Sequence, residues 1–130
     1  MIVLDASAAI EFLLATAVGQ RIAERISVRE ETLHAPHLID LEVIQVLRRY
    51  VQQKQLEENR AGDAIEDFLA LDLERYPHDL LLPRVWELRY NVTAYDAAYL
   101  ALAESLGALL LTCDASFRNV PNTSAQVEVL

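Results

Sequence analysis

Short apolar runs with no polar alternation, each closing on an acid, constrain this chain more than any other feature. Ile2-Val3-Leu4 ends at Asp5, and the run from Ala108 through Leu111 to Thr112 ends at Cys113-Asp114. A strand that is apolar on both faces must be covered on both, which is the condition of a parallel sheet within an α/β protein. Helical periodicity fills the intervals. Ser7 is positioned to cap a helix through about Leu14, and Ile22 and Ile26 lie one turn apart in a helix over 18–28. A helix opening at Pro36 is expected to run to about Gln53 with Leu38, Leu41 and Val46 inward. Further helices are expected over 57–71, over 79–90, and over 94–106 between a Thr93 cap and a Gly107 stop. Strands over 32–35, 71–76 and 127–130 complete the alternation. The pattern predicts an α/β fold, a three-layer α/β/α sandwich around a mostly parallel sheet, in a single domain spanning 1–130.

A chain of 130 residues suits one core and is too short for two. With 53% hydrophobic residues and only 3 Gly and 4 Pro, it reads as a folded globule rather than a disordered tail. No apolar run approaches the ~20 residues of a membrane span. The amino end enters a core strand directly, so no secretion signal is expected. Cys113 is the single cysteine and has no internal disulfide partner, which favours a reducing cytoplasm. The formal charge of −9, from 20 acids and 11 bases, argues against binding nucleic acid by bulk charge. A polyanionic substrate would depend on local arginines. Arg48 and Arg49 are best placed for RNA, because they share a helix with Glu42. Arg21, Arg25 and Arg29 read as a solvated stripe paired in part with Glu24, Glu30 and Glu31. His34 and His37 have no Cys or further His nearby to complete a zinc site. Trp86, Tyr90, Tyr95 and Tyr99 fit core, dimer interface or base stacking, with core or dimer contact favoured for Trp86.

In open parallel sheets the binding crevice lies beyond the carboxyl ends of the strands. Asp5 and Asp114 follow apolar strands and should emerge at that edge. Glu42 and Asp96 fall within about the first two turns of helices that can open there. Each acid has an ordinary alternative. Asp5 suits a turn, Asp96 completes a capping box with Thr93, Asp40 and Glu42 complement a helix dipole, and Asp114 closes an Asx-turn before Phe117. Those roles do not account for convergence on one edge. Two carboxylates ~5 Å apart repel by about 3 kcal/mol at an effective dielectric of ~20. Four together take up protons or a cation, and an all-oxygen donor set suits Mg²⁺ or Mn²⁺. With two such ions the sum is −9 + 4 = −5, still acidic.

Four segments, in this order, resemble the PIN domain and most closely the VapC-type toxins of toxin–antitoxin pairs. They are Ile2-Val3-Leu4-Asp5-Ala6-Ser7-Ala8, Leu41-Glu42-Val43, Tyr95 through Ala103 (with Asp96-Ala97-Ala98-Tyr99 at its start), and Leu110-Leu111-Thr112-Cys113-Asp114. The resemblance implies metal-dependent endoribonuclease activity using Mg²⁺ or Mn²⁺, RNA as substrate, a cognate VapB-like antitoxin and a homodimer. It implies Asp5, Glu42, Asp96 and Asp114 as catalytic metal ligands, with Ser7 and Thr112 orienting carboxylates or water behind them. Asp114 occupies the most variable of the four acidic positions in such families, and Asp40 has no counterpart. A PIN-like interaction module without turnover is the alternative. Phosphoryl-transfer domains of the haloacid-dehalogenase or response-regulator type also place an Asp after a strand. The first needs a second Asp where Ser7 stands, and the second needs a Lys after a later strand, whereas the only lysine is Lys54.

Overall fold

The computed structural model describes residues 1–130. Its sheet contains β1 (Ile2–Leu4), β2 (Leu33–Pro36), β3 (Leu73–Tyr76), β4 (Leu109–Thr112) and β5 (Gln126–Val129). The spatial order is β3-β2-β1-β4-β5, and every pairing is parallel. The two continuous apolar runs are the central strands. Ile2, Val3, Leu4, Leu110 and Leu111 are fully buried, as a strand covered on both faces must be.

Right-handed crossovers then settle which helices lie on which face. The chain steps outward from β1 to β2 to β3, placing α1 (Ala6–Leu13), α2 (Ala17–Ile26), α3 (Leu38–Gln52) and α4 (Glu58–Ala70) on one side. The return from β3 to β4 carries α5 (Leu82–Glu87) and α6 (Ala94–Leu106) across the other. Contacts agree with this division: α1 packs on α2, α3 and α4, while α6 packs on β1, β2, β4 and α5. Residues Ala97 to Ala103 of α6 are all buried, the signature of a helix laid over the middle of a sheet. The three-layer α/β/α sandwich is therefore observed. No helix is long and apolar enough to cross a membrane.

Strand order reverses between β1 and β4, so the carboxyl ends of these neighbours open a crevice. Helices α3 and α6 both begin at that edge, one following β2 and the other arriving from β3.

Several local expectations are corrected. Asp5, not Ser7, holds the capping position of α1, and no side chain caps that helix. Pro36 ends β2 rather than starting a helix. It pairs only with Tyr76, beyond the last residue of β1 that pairs with β2, so its missing N–H costs no bond there. The buried stripe of α3 is Ile39, Val43 and Leu47, whereas Leu41 is 76% exposed. The helix expected over 79–90 breaks into a 3-10 turn (Asp79–Leu81) and the short α5, with Pro83 in its first turn and without an N–H to continue the preceding ladder. Trp86 is 67% exposed and so lies outside the core. Cys113 falls just past β4, partly buried.

Gly19 marks the tightest helix approach. A Cβ there would stand 1.9 Å from the Glu11 carbonyl oxygen on α1. Gly62, in α4, meets nothing within 4 Å. Gly19→Ala should therefore destabilise the fold by about 1–3 kcal/mol. Gly62→Ala should stabilise it by up to about 1 kcal/mol through helix propensity. Urea unfolding of the two variants beside wild type measures both.

Candidate metal centre at the carboxyl edge of the sheet

Asp5 anchors the edge. Its amide donates to Leu111 O of β4 at 3.0 Å, and the residue is only 6% exposed. Oδ2 accepts from Ser7 Oγ at 2.6 Å and from Thr112 Oγ1 at 2.8 Å. A hydroxyl has one proton, so both are committed to Asp5, and the 3.1 Å approach of Ser7 Oγ to Thr112 Oγ1 carries no hydrogen bond of its own. Each hydroxyl is instead polarised from behind. Cys113 N donates to Ser7 Oγ at 2.9 Å, and Asp114 N donates to Thr112 Oγ1 at 3.0 Å. Burial nonetheless pushes the Asp5 carboxyl above its ordinary value, against the hydroxyl bonds and the nearby amides of Ala6 and Ser7.

The other acids arrive from separate elements. Glu42 lies in the second turn of α3, where its Oε1 accepts from Tyr99 Oη at 2.7 Å. Burial raises its pKa, the Tyr99 bond opposes this, and the charges of Asp5 and Asp96 raise it further. Asp96 sits in the first turn of α6. Its amide donates to Thr93 Oγ1 at 3.2 Å, but its carboxylate returns no bond to Thr93, so only half of the expected capping box forms. Burial, then repulsion from Asp5 and Asp114, pushes Asp96 up to about 6. Asp114 is exposed and forms its Asx-turn, Oδ1 accepting from Ser116 N at 2.8 Å.

All four acids are thus linked by mutual repulsion across one edge, although no three of the side chains already stand in a closed ligating arrangement. The donor set is carboxylate oxygen throughout, which suits a hard divalent ion, and unrelieved repulsion favours one. The acids occupy an open edge, while cavities lie elsewhere: one of 480 Å³ is lined by Val51, Lys54 and Glu58, one of 420 Å³ is bounded by His34, Leu71 and Glu74, and one of 330 Å³ lies between α3 and α4. His34 itself bonds Thr32 and Tyr76. Arg48 and Arg49 are exposed and form no ion pair; Arg48 borders the groove between α3 and α4, and Arg49 lies over Tyr50. Asp40, without an assigned role, is paired with Arg75 at 2.7 Å.

A match to the PIN domain family extends over residues 2–122. The chain belongs to the PIN-domain family. Ribonuclease VapC12 of Mycobacterium tuberculosis is 39% identical over 130 residues, covering 100% of this chain and 99% of the relative. The crystal structure of PAE2754 from Pyrobaculum aerophilum superposes with a TM-score of 0.72 at 25% identity, covering 98% of this chain and 83% of that one. A DNA-bound VapBC structure from Salmonella typhimurium gives a TM-score of 0.71 at 20% identity, over 98% and 96% of the two chains, and supports the fold.

Within this PIN-domain chain, Tyr99 is the residue whose bond to Glu42 the sequence reading, which placed it as core, dimer or stacking residue, did not assign. Its spacing from Asp96, three residues along one helix, places both on one face and was the available signal. Tyr99→Phe should cost about 1–3 kcal/mol by removing the donor to Glu42. Thermal unfolding tests it, and a loss no larger than that of an exposed Tyr95→Phe control would reject the role.

The raised Asp96 carboxyl also sets a sign for stability. A folded-state pKa above the unfolded value means the native chain binds more protons between pH ~4 and ~6, so stability falls as pH rises through that window. Without metal, Asp96→Asn should melt higher than wild type at pH 7 and show no such gain at pH 4. After solvent screening the gain is about 1 kcal/mol.

Proposed function

We propose that this protein is an endoribonuclease toxin that hydrolyses RNA phosphodiester bonds with Mg²⁺ or Mn²⁺ and is held inactive by a VapB-like antitoxin. The observation that carries the proposal is the mutual repulsion linking Asp5, Glu42, Asp96 and Asp114 at the strand-order reversal, in a full-length relative of a named ribonuclease. The antitoxin is carried over from the VapBC neighbours, and a cytoplasmic homodimer belongs to the same proposal. Asp5, Glu42, Asp96 and Asp114 would hold the ion. Such an ion supplies Lewis acidity toward the phosphate, an acidified water and charge for the leaving oxygen.

The chain's own groups prepare that site. Ser7 and Thr112 grip one oxygen of Asp5 and prevent its carboxylate from rotating. Tyr99 engages Oε1 of Glu42 and leaves Oε2 for another partner. Asp96 accepts no hydrogen bond through its carboxylate, so its oxygens remain free to coordinate or to hold a proton. Arg48 or Arg49 would steady the RNA backbone. An ion-activated water requires no histidine or serine nucleophile, so hydrolysis would proceed without a covalent enzyme intermediate.

Asp5→Asn and Asp96→Asn should each lower cleavage of labelled RNA by about 100-fold or more while leaving the folded spectrum intact. Chelator should abolish wild-type cleavage, and added Mn²⁺ should restore it and raise the melting temperature. Retained cleavage in both variants would reject the assignment.

A further inference from the structure

We infer that Trp86, Arg89 and Tyr90 form a platform that holds single-stranded RNA next to the acidic edge, an extension that rests on the ribonuclease proposal. The Arg89 guanidinium carbon lies 4.5 Å from the Trp86 ring centroid and 4.5 Å from that of Tyr90. Both rings face solvent, at 67% and 85% exposure. The one hydrogen bond of the guanidinium runs from NH1 to the Trp86 carbonyl at 2.8 Å. No carboxylate neutralises it, whereas neighbouring Arg84 is held by Glu104 and Glu87, and Arg75 and Arg25 are likewise paired. An uncompensated cation clasped by two exposed aromatic faces is the arrangement that binds single strands, with bases stacking on the rings and phosphate meeting the guanidinium.

Placement and rigidity point the same way. The amides of Asn91 and Val92 both donate to Leu88 O, and Leu88 is fully buried, so the turn carrying Arg89 and Tyr90 is pinned to the core. That turn leads straight into α6. Asp96 lies six positions after Tyr90, at most ~20 Å even if extended. A stacked strand covers that span in about six nucleotides. Tyr95, also exposed, stands beside Asp96 on the way. A second copy of the chain is the less suitable occupant. A two-fold contact sets the patch against itself, and the nearest acid in sequence, Glu87, is already paired with Arg84. In a chain of charge −9, a localised cation flanked by stacking surfaces is also what a polyanion needs in order to approach.

The test measures binding of a fluorescent single-stranded oligoribonucleotide to the full chain in chelator, where no cleavage interferes. Trp86→Ala and Tyr90→Ala should each weaken binding about ten-fold, and an abasic oligonucleotide of equal length should show no such difference. Arg89→Ala should also reduce the slope of log Kd against log salt by about 0.7. Leu69→Ala, an exposed apolar change on α4, should bind as wild type does. Wild-type affinity in all three platform variants, or no binding by wild type, overturns the platform. So does a shift from dimer to monomer in light scattering that accounts for the lost affinity, which would assign the patch to self-association. Binding is read without metal and cleavage with it. Loss of the platform effect with cleavage intact therefore refutes only this inference, and metal-independent or absent cleavage refutes only the ribonuclease proposal.

Discussion

One buried carboxylate organises this molecule. Asp5 closes the central strand at the point where strand order reverses, and it is kept there by two hydroxyls that are themselves polarised by backbone amides. Burying a charged group without such bonds would cost several kcal/mol. Here Oδ2 draws donors from α1 and from the end of β4, so one side chain joins the two halves of the doubly wound sheet. The helix start, the turn after β4 and the open crevice between them depend on that junction.

The remaining acids add strain to the same place. Asp96 and Glu42 are both raised by burial and then by their acidic neighbours, so the native state holds protons that the unfolded chain would release. A core optimised for stability alone would not gather these groups. Tyr99 shows how the strain is contained: a fully buried ring on α6 sends its hydroxyl across to Glu42 on α3 and links the two helix layers around the crevice.

The positive charges follow a second logic. Arg25, Arg75 and Arg84 are tied to carboxylates and act as parts of the scaffold. Arg89 is stacked rather than paired, and it stands on the turn that delivers Asp96 to the edge. Net charge therefore says little about where a polyanion would meet this surface; the local pairing of each guanidinium says more.

Much of this was legible in the residues alone. Continuous apolar runs at 2–4 and 109–112 required cover on both faces, and acids just beyond them had to emerge at the carboxyl edge, because strand direction and chain order leave no other exit in a parallel sheet. Gly107 stopped α6 as its left-handed backbone demands. Local patterns failed where distant partners decided. Ser7 looked like a cap until Asp5 and Cys113 claimed its hydroxyl, and Pro36 looked like a helix start until β3 paired with it. Trp86 fitted a core or a dimer contact, and the short α5 with Pro83 in its first turn leaves it facing solvent, which removes the core reading. Composition and periodicity determined the layers and the edge where chemistry gathers. Which hydroxyl meets which carboxylate, and which arginines are paired, was decided only by tertiary packing, since those bonds join residues as much as 107 positions apart whose spacing carries no record of the meeting.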